Sequence, residues 1–202
     1  MNADFKINGK IIETKRLIIR QFEQGDLDDF YEYASVDGVG QMAGWNPHEN
    51  KEKSQEILNM FIEENKTFAL FHRDDKKVIG SLGIEKYKRE NELTEFNNYI
   101  GRELGFVLSK DYWGKGLMPE AVNAVINYLF NELNYDFLTS GYFIFNNQSK
   151  RVQEKCGFKT YRKLIIETRM GTKEDTILNL IINPNKNIKL NFSYPETLIY
   201  NN

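Results

Sequence analysis

The segment that leads from a predicted strand into the longest predicted helix carries two glycines, Gly114 and Gly116, on either side of Lys115. Glycine has no Cβ, so a ligand can approach its backbone closely. The first N–H groups of a helix lack intrahelical partners, and the helix dipole favours an anion in front of them. The pattern predicts a cradle for a phosphate or pyrophosphate, with Lys115 adding charge at its rim. A strand-to-helix turn that needs glycine for its own geometry explains these residues alone equally well.

A second polar segment follows the next predicted strand. Asn146 ends that strand, and Ser149 begins a short predicted helix that stops before Gly157 and Phe158. Asn and Ser are also common helix N-caps, so capping explains either residue alone.

The segment with Gly114 and Gly116 fits neither a Walker loop, which places Gly-Lys-Ser/Thr after four intervening residues, nor the three-glycine dinucleotide fingerprint.

Hydrophobic periodicity places both segments in a mixed pattern of strands and helices. We predict strands over residues 16–22, 68–71, 78–84, 99–108, 137–145, 163–170 and 176–182. We predict helices over 27–35 (with Asp26 as N-cap), 49–65, 116–133 and 148–156, and a loop over 86–98. This order indicates a mixed α/β (α+β) domain, with a largely antiparallel sheet and one parallel crossover through the long helix.

The composition is that of a globular chain with balanced charge. Of the 202 residues, 41% are hydrophobic and 13% aromatic, which is enough for a sizeable core. The net charge of −2 argues against a protein that binds nucleic acid through phosphate charge alone. One cysteine and two histidines leave no internal disulfide and almost no ligands for a structural zinc site. The polar opening lacks a signal-peptide core and no apolar run approaches the ~20 residues of a membrane span, so we expect a soluble, cytoplasmic protein.

The two chemical segments and their surroundings together resemble a known family. The matching stretches are 104–106 (Leu-Gly-Phe), 113–121 (Trp-Gly-Lys-Gly-Leu-Met-Pro-Glu-Ala) and 146–158, joined by 13–20, 44–48 and 78–83. They resemble the GNAT N-acetyltransferase superfamily, and within it the branch that includes ribosomal-protein N-terminal acetyltransferases. The resemblance covers residues 11–183 and implies a GNAT-type fold, a twisted sheet flanked by helices with splayed central strands.

Two positions depart from the family pattern. Asp111 stands where the acyl-CoA loop of the superfamily often has Gln or Arg, and the neighbouring Lys110 is the basic residue that could compensate. Cys156 replaces the usual aliphatic residue before Gly157. Because the family reaction is direct transfer, we expect Cys156 to be a small buried apolar side chain and not a nucleophile.

The resemblance implies acetyl-CoA as cosubstrate, bound without a metal between the splayed strands near residues 104–108 and 143–146. The implied cofactor-binding residues are Phe106, Val107, Leu108, Trp113, Gly114, Lys115, Gly116, Leu117, Met118 and Asn146. Gly105 is expected to mark a bulge that frees a backbone N–H, from Phe106 or Val107, for the thioester oxygen.

The resemblance also implies Ser149 as a hydroxyl near the departing thiolate. An amine must be neutral to attack, so a carboxylate near the cleft is the natural base. Glu103, which precedes Gly105 on the cleft strand, is the first candidate, and Glu85 is the second. Each carboxylate is also explained as a solvated strand residue.

The acceptor cleft is expected between two loops. Trp45 and His48 form one wall, although Trp45 is equally explained as a packing residue. Tyr87 and the charged loop 88–95 form the other wall, where Glu90, Glu92 and Glu95 suit a basic acceptor or are simply solvated.

We therefore predict an enzyme that moves an acetyl group from acetyl-CoA to a primary amine, preferably a protein N-terminal amine, by direct attack in a ternary complex. Acetylation of a small-molecule amine (a polyamine, an amino acid or an antibiotic) and a non-catalytic acyl-CoA-binding module remain alternatives. We expect neither a nucleic-acid nor a membrane partner, and a monomer or homodimer. Residues 1–183 are predicted to form one domain, and 184–202, with Phe192, Tyr194, Leu198 and Tyr200, an extension that packs on the domain or on a partner.

Overall fold

One eight-stranded sheet organises the chain. The structure, a computed structural model, describes residues 2–87 and 96–188. The strands are β1 (Ile12–Glu13), β2 (Leu17–Gln21), β3 (Thr67–His72), β4 (Lys77–Glu85), β5 (Gly101–Leu108), β6 (Phe137–Phe143), β7 (Lys159–Glu167) and β8 (Lys173–Ile182). Their order is β1-β2-β3-β4-β5-β6-β8-β7, and every neighbouring pair is antiparallel except β5 and β6, which are parallel.

Within the described residues, four α-helices flank the sheet: α1 (Leu27–Ala34), α2 (Lys51–Glu64), α3 (Leu117–Asn127) and α4 (Asn147–Lys155). The predicted helix 116–133 is correct in place, but its end is a π-helical turn over Tyr128–Glu132. Asp26 is the N-cap residue of α1, as predicted, but its side chain makes no cap bond and forms an ion pair with Arg20 at 2.7 Å.

The two central strands separate after a short contact. Only three residue pairs join β5 to β6, from Gly101 with Phe137 to Glu103 with Thr139. One further link follows, where the Ser140 hydroxyl donates to the carbonyl oxygen of Leu104 at 2.9 Å. Beyond it the strands diverge and leave a gap, so the predicted fold with splayed central strands is confirmed.

Apolar side chains fill both faces of the sheet. On one face, α3 buries the helical repeat that was read from the sequence, including Ala121, Val122 and Val125, against strand residues such as Leu104. On the other face, α1 and α2 pack through residues such as Phe30 and Leu58. The core thereby fixes β5 between two helical layers and sets the direction of each of its side chains.

The strand β5 is regular, and the bulge predicted at Gly105 is wrong. The pairing with β4 runs from Gly80 opposite Leu108 to Glu85 opposite Glu103 without a shift. The gap arises because β6 turns away, so β5 need not kink to expose its backbone.

The C-terminal boundary is partly visible. Asn183 is buried and its side chain donates to the carbonyl oxygens of Phe130 and Tyr135, while Lys186 forms an ion pair with Asp136. The chain is therefore held to the domain as far as Lys186. The aromatic positions predicted to pack further on lie outside the described residues, as does the acidic loop 88–95, and the division at 183 stays a prediction. Among the described residues, no helix has both the length and the apolar character needed to cross a membrane.

Candidate active site

The gap between β5 and β6 opens into a cavity of about 740 Å³. Its walls include every residue of β5 from Glu103 to the end of the strand at Leu108, and residues Ser140 to Phe143 of β6. The turn before α3 and the start of α4 complete them. The two chemical segments singled out in the sequence therefore face one space, although a strand and the whole of α3 separate them along the chain.

The turn before α3 has the backbone shape of an anion cradle. Gly114 and Gly116 both have φ near +75°, a left-handed conformation that other residues rarely adopt. A Cβ on Gly114 would meet nothing within 4 Å, and one on Gly116 would approach only the Arg16 guanidinium at 3.8 Å, so the backbone here is open. Leu117 and Met118 are the first residues of α3 and present its leading N–H groups, whereas Pro119 has none.

Two side chains hold this turn in place. Trp113 folds back so that its indole N–H donates to the carbonyl oxygen of Leu108 at 2.8 Å. Arg16 donates to the carbonyl oxygen of Lys115 at 2.9 Å and to the Glu120 carboxylate at 2.7 Å. Burial alone would raise the pKa of Glu120, but hydrogen bonds from Thr14 and Arg16 outweigh it and lower that pKa. The predicted residues Trp113, Gly114, Gly116, Leu117 and Met118 all line the cavity, but Lys115 does not.

Backbone direction distinguishes the two residues considered for the thioester oxygen. The carbonyl of Leu104 faces β6, since it accepts from Ser140, and Ser109 faces β4, since its N–H donates to Ile79 at 2.8 Å. Successive residues of a strand point their backbone groups to opposite sides. The N–H of Phe106 therefore points into the gap, and that of Val107 points to β4.

The two predicted bases lie opposite each other on neighbouring strands, but in different surroundings. Glu103 lines the cavity at the point where β5 and β6 separate. Glu85 pairs with it in the β4–β5 register, does not line the cavity, and forms an ion pair with Lys66 at 2.8 Å. Of the two predicted bases, Glu103 is therefore the one that lines the cavity.

The start of α4 brings Asn146 and Ser149 to the same cavity. Asn146 is buried and already has protein partners, since its Oδ1 accepts from the Ser149 N–H and its Nδ2 donates to the carbonyl oxygen of Met42, both at 3.0 Å. Asn146 thus caps α4 and also ties down the segment 39–44, which we call the strap.

The strap forms a wall that the sequence did not reveal. Val39, Met42 and Ala43 line the cavity, and Gly44 accepts a bond from the N–H of Arg169 at 2.9 Å. The strap is thus fixed both to α4 and to the turn after β7. Its apolar residues carry no chemical signal, so only the three-dimensional contacts identify it.

Trp45 and His48, predicted as a cleft wall, do not line the cavity. His48 is buried, packs against Phe30 and Trp45, and lies 2.7 Å from the Ser54 hydroxyl. Burial, and to a lesser extent Lys53, lower the pKa of His48, which favours the neutral form of its ring. Both residues hold the loop against α2, which is the packing explanation that was left open for Trp45.

Several lining residues were not predicted. They include Tyr142 on β6, Arg151 on α4, and Leu164, Ile166 and Glu167 on β7. Tyr87, predicted as a wall, is buried and lines the cavity. Cys156 is buried behind the site, where desolvation raises the pKa of its thiol to about 12, as expected for a packing residue.

Comparison with known proteins gives a consistent family. Residues 16–159 match the model of the acetyltransferase (GNAT) domain. Probable N-acetyltransferase YjcK of Bacillus subtilis (strain 168) is 32% identical over 185 residues, which is 90% of each chain. The [ribosomal protein uS5]-alanine N-acetyltransferase of Escherichia coli (strain K12) is 25% identical, covering 86% of this chain and 91% of that protein. Spermidine N(1)-acetyltransferase of Vibrio cholerae is 26% identical, covering 76% of this chain and 85% of that protein.

A solved structure shares the fold. The acetyltransferase (GNAT family) from Bacillus anthracis superposes with a TM-score of 0.74 at 24% identity, covering 86% of this chain and 99% of that one. Since the domain model spans most of the chain and a relative above 30% identity is covered almost throughout, the resemblance read from the motifs is confirmed. The chain belongs to the GNAT family and is an N-acetyltransferase.

Proposed function

We propose that the protein transfers the acetyl group of acetyl-CoA to a primary amine by direct attack in a ternary complex, with a protein N-terminal amine as the acceptor. One observation carries the proposal. A single cavity is lined both by the open N-terminus of α3, which suits a pyrophosphate, and by the carboxylate of Glu103, which suits an amine.

The residues that line this cavity suit the chemical groups of acetyl-CoA. Its pyrophosphate would lie against the backbone of Gly114, Gly116 and the first turn of α3. Its pantetheine arm would lie along β5 as an added strand, a recognition mode that uses main-chain hydrogen bonds. The N–H of Phe106 would then donate to the thioester oxygen, where negative charge develops during attack.

The chemistry requires proton movements at both the nitrogen and the sulfur. Once the ammonium group has lost a proton, the neutral nitrogen attacks the thioester carbon, forming a C–N bond and a tetrahedral intermediate. The nitrogen then loses its second proton, and the C–S bond breaks to release the thiolate, which takes up a proton as the CoA thiol. Glu103 takes the proton that the ammonium group must lose, directly or through a water molecule. Ser149 donates a hydrogen bond to the departing sulfur, as its place on the cavity wall permits.

The acceptor side of the cavity suits a cation on a small apolar body. Leu164, Ile166 and Leu178 supply apolar surface, and Glu103 and Glu167 supply two carboxylates. An N-terminal alanine has this character, and one relative is named as a [ribosomal protein uS5]-alanine N-acetyltransferase. The second carboxylate, Glu167, favours a polyamine as the second candidate, because such an acceptor carries more than one positive charge.

An acceptor screen that measures released CoA thiol separates these functions. We expect turnover of a short peptide with a free N-terminal alanine, and no turnover of the same peptide with an acetylated N-terminus. Spermidine as the preferred acceptor, judged by kcat/KM, would replace the protein N-terminus by the polyamine. Acetyl-CoA binding without turnover of peptides, polyamines, amino acids or aminoglycosides would contradict the enzymatic assignment of the cavity.

A further inference from the structure

Two buried amide side chains form a hydrogen-bonded chain that ends at Ser149. Gln153 on α4 has no exposed surface and Asn179 on β8 is 3% exposed. Asn179 Nδ2 donates to Gln153 Oε1 at 3.0 Å, and Gln153 Nε2 donates to Ser149 Oγ at 3.1 Å. Neither amide lines the cavity, whereas Ser149 does. Of the cavity-wall groups that Gln153 contacts, the Gly141 carbonyl and the Ser149 hydroxyl, only the hydroxyl can be reoriented by this contact.

The direction of these bonds is fixed by a backbone group. Gln153 Nε2 also lies 3.2 Å from the carbonyl oxygen of Gly141, which can only accept. The amide atom that faces Gly141 must therefore be the nitrogen, and the same nitrogen faces Ser149. The oxygen of Gln153 is left on the opposite side, where Asn179 donates to it. Ser149 Oγ accordingly accepts one hydrogen bond and retains its own proton for another partner.

If these two amides served only to fill space, they would stabilise the fold less than apolar side chains of similar size. Burying amides removes them from water, and the Oδ1 atom of Asn179 has no hydrogen-bond partner among the described residues. Apolar side chains of similar size would fill the same space without that loss. A serine in the first turn of a helix can also turn its hydroxyl to nearby backbone groups, which would remove its proton from the cavity.

We infer that Gln153, held by Asn179, is a positioning residue that directs the Ser149 hydroxyl to donate toward the sulfur leaving in acetyl transfer. The inference rests on the role of Ser149 given under the proposed function. A donor aimed at the sulfur gains strength as the thiolate forms, so its loss lowers kcat more than it changes the affinity for acetyl-CoA.

The test reverses the polarity of the bond at nearly constant shape. In Gln153→Glu both terminal oxygens accept when ionised, so the Ser149 hydroxyl donates to the carboxylate and no longer to sulfur. We expect kcat to fall by about 10-fold or more at alkaline pH, where this buried carboxyl group is ionised, with the KM for acetyl-CoA within about 2-fold of wild type. The ratio of variant to wild-type kcat should rise at lower pH, because a protonated carboxyl group no longer requires that proton.

A double-mutant cycle with Ser149→Ala separates positioning from packing. We expect Ser149→Ala to be slow and the combined variant to be no slower. The positioning role would be overturned if the kcat losses of the two single variants multiplied in the double variant. It would also be overturned if the ratio of Gln153→Glu to wild-type kcat did not change with pH. A slow Ser149→Ala beside a wild-type Gln153→Glu would overturn only this inference. Wild-type turnover in Ser149→Ala would instead overturn the proposed role of Ser149, and the inference with it.

A second variant keeps the test decisive if Gln153→Glu does not fold. Asn179→Leu removes the donor to Gln153 without changing α4, and Asn183→Leu is its matched control. Asn183 is an equally buried asparagine just after the same strand, but it donates to Phe130 and Tyr135, away from the cavity. We expect both variants to lower the unfolding temperature, and only Asn179→Leu to lower kcat. Equal kcat values for the two variants would overturn the inference.

Discussion

At the scale of single residues, the acceptor amine decides what Glu103 must do. An alkylammonium group has no lone pair for attack near pH 7, so its proton must leave before the C–N bond forms. We predict that Glu103→Gln lowers kcat/KM by ~10²- to 10⁴-fold near neutral pH. The loss should shrink as the pH rises toward the pKa of the amine, because neutral amine then arrives from solution.

Rates measured from pH 6.5 to 10 for wild type and Glu103→Gln check this prediction. Glu85→Gln is the matched comparison, since Glu85 stands directly opposite on β4 and is paired with Lys66 outside the cavity. A wild-type rate for Glu103→Gln at pH 7, together with a slow Glu85→Gln, would transfer the role of base to Glu85.

His48 gives a prediction about stability. Burial lowers its pKa in the folded protein below the ordinary value of about 6.5, so the unfolded chain binds the proton more tightly. The stability that neutral His48 contributes is therefore present above about pH 6.5 and is lost as the pH falls below it, by up to ~1.4 kcal/mol per pH unit. The free energy of unfolding, measured with urea at pH 7.5 and at pH 5.5, should fall less between the two pH values for His48→Gln than for wild type. Equal falls would mean that His48 does not couple to folding.

Residue types and spacing singled out the turn before α3, Ser149 and Glu103, which all contribute to the cavity wall, because the signal that each carries is local in the sequence. They could not show where a side chain points. Trp45 and His48 carry suitable groups for a cleft, but their loop turns them onto α2. Arg16 and Glu120 meet across 104 positions of sequence, and Gln153 meets Asn179 across 26, so neither pair has a local signal.

At the scale of elements, the turn before α3 should bind CoA through backbone that only glycine leaves open. We predict that Gly116→Val raises the Kd for CoA by ~10-fold or more, because a branched side chain would stand where the pyrophosphate lies and would strain a φ of +75°. Gly9→Val is the matched control, since Gly9 has a φ of +74° and open space around its Cα but lies outside the cavity. Calorimetry on folded variants should show weaker binding for Gly116→Val alone. Equal affinities would remove the turn from the donor site.

Elements with a buried face were predictable, and exposed ones less so. The apolar repeat of α3 and the runs of β3 and β4 fix their place in the core. The strand β7 begins at Lys159, earlier than predicted, because an edge strand with largely exposed, charged side chains pairs through its backbone and leaves no apolar alternation. The short strand β1 has only two residues and likewise carried no pattern.

The sheet as a whole consists of two parts that are joined by a short contact. Strands β1 to β5 form one part and β6 to β8 the other, and three residue pairs with the Ser140 hydroxyl connect them within the sheet. The parallel crossover through α3 was predictable from the order of elements. The width of the gap was not, because it depends on where β6 leaves β5, and no residue type marks that point.

A bound CoA molecule should complete the sheet across this gap, and hydrogen exchange can detect which amides it covers. The N–H of Phe106 points into the gap, whereas that of Val107 points to β4 and is already part of the β4–β5 ladder. With CoA at ~100 times its Kd, only about 1% of the protein is free of ligand. If the Phe106 amide exchanges only in the free protein, its exchange rate should fall by up to ~100-fold. Val107 should change little, which makes it an internal control one residue away. Protection of Val107 without Phe106 would contradict the backbone direction assigned to β5, and protection of neither amide at saturation would show that the pantetheine arm does not pair with this strand.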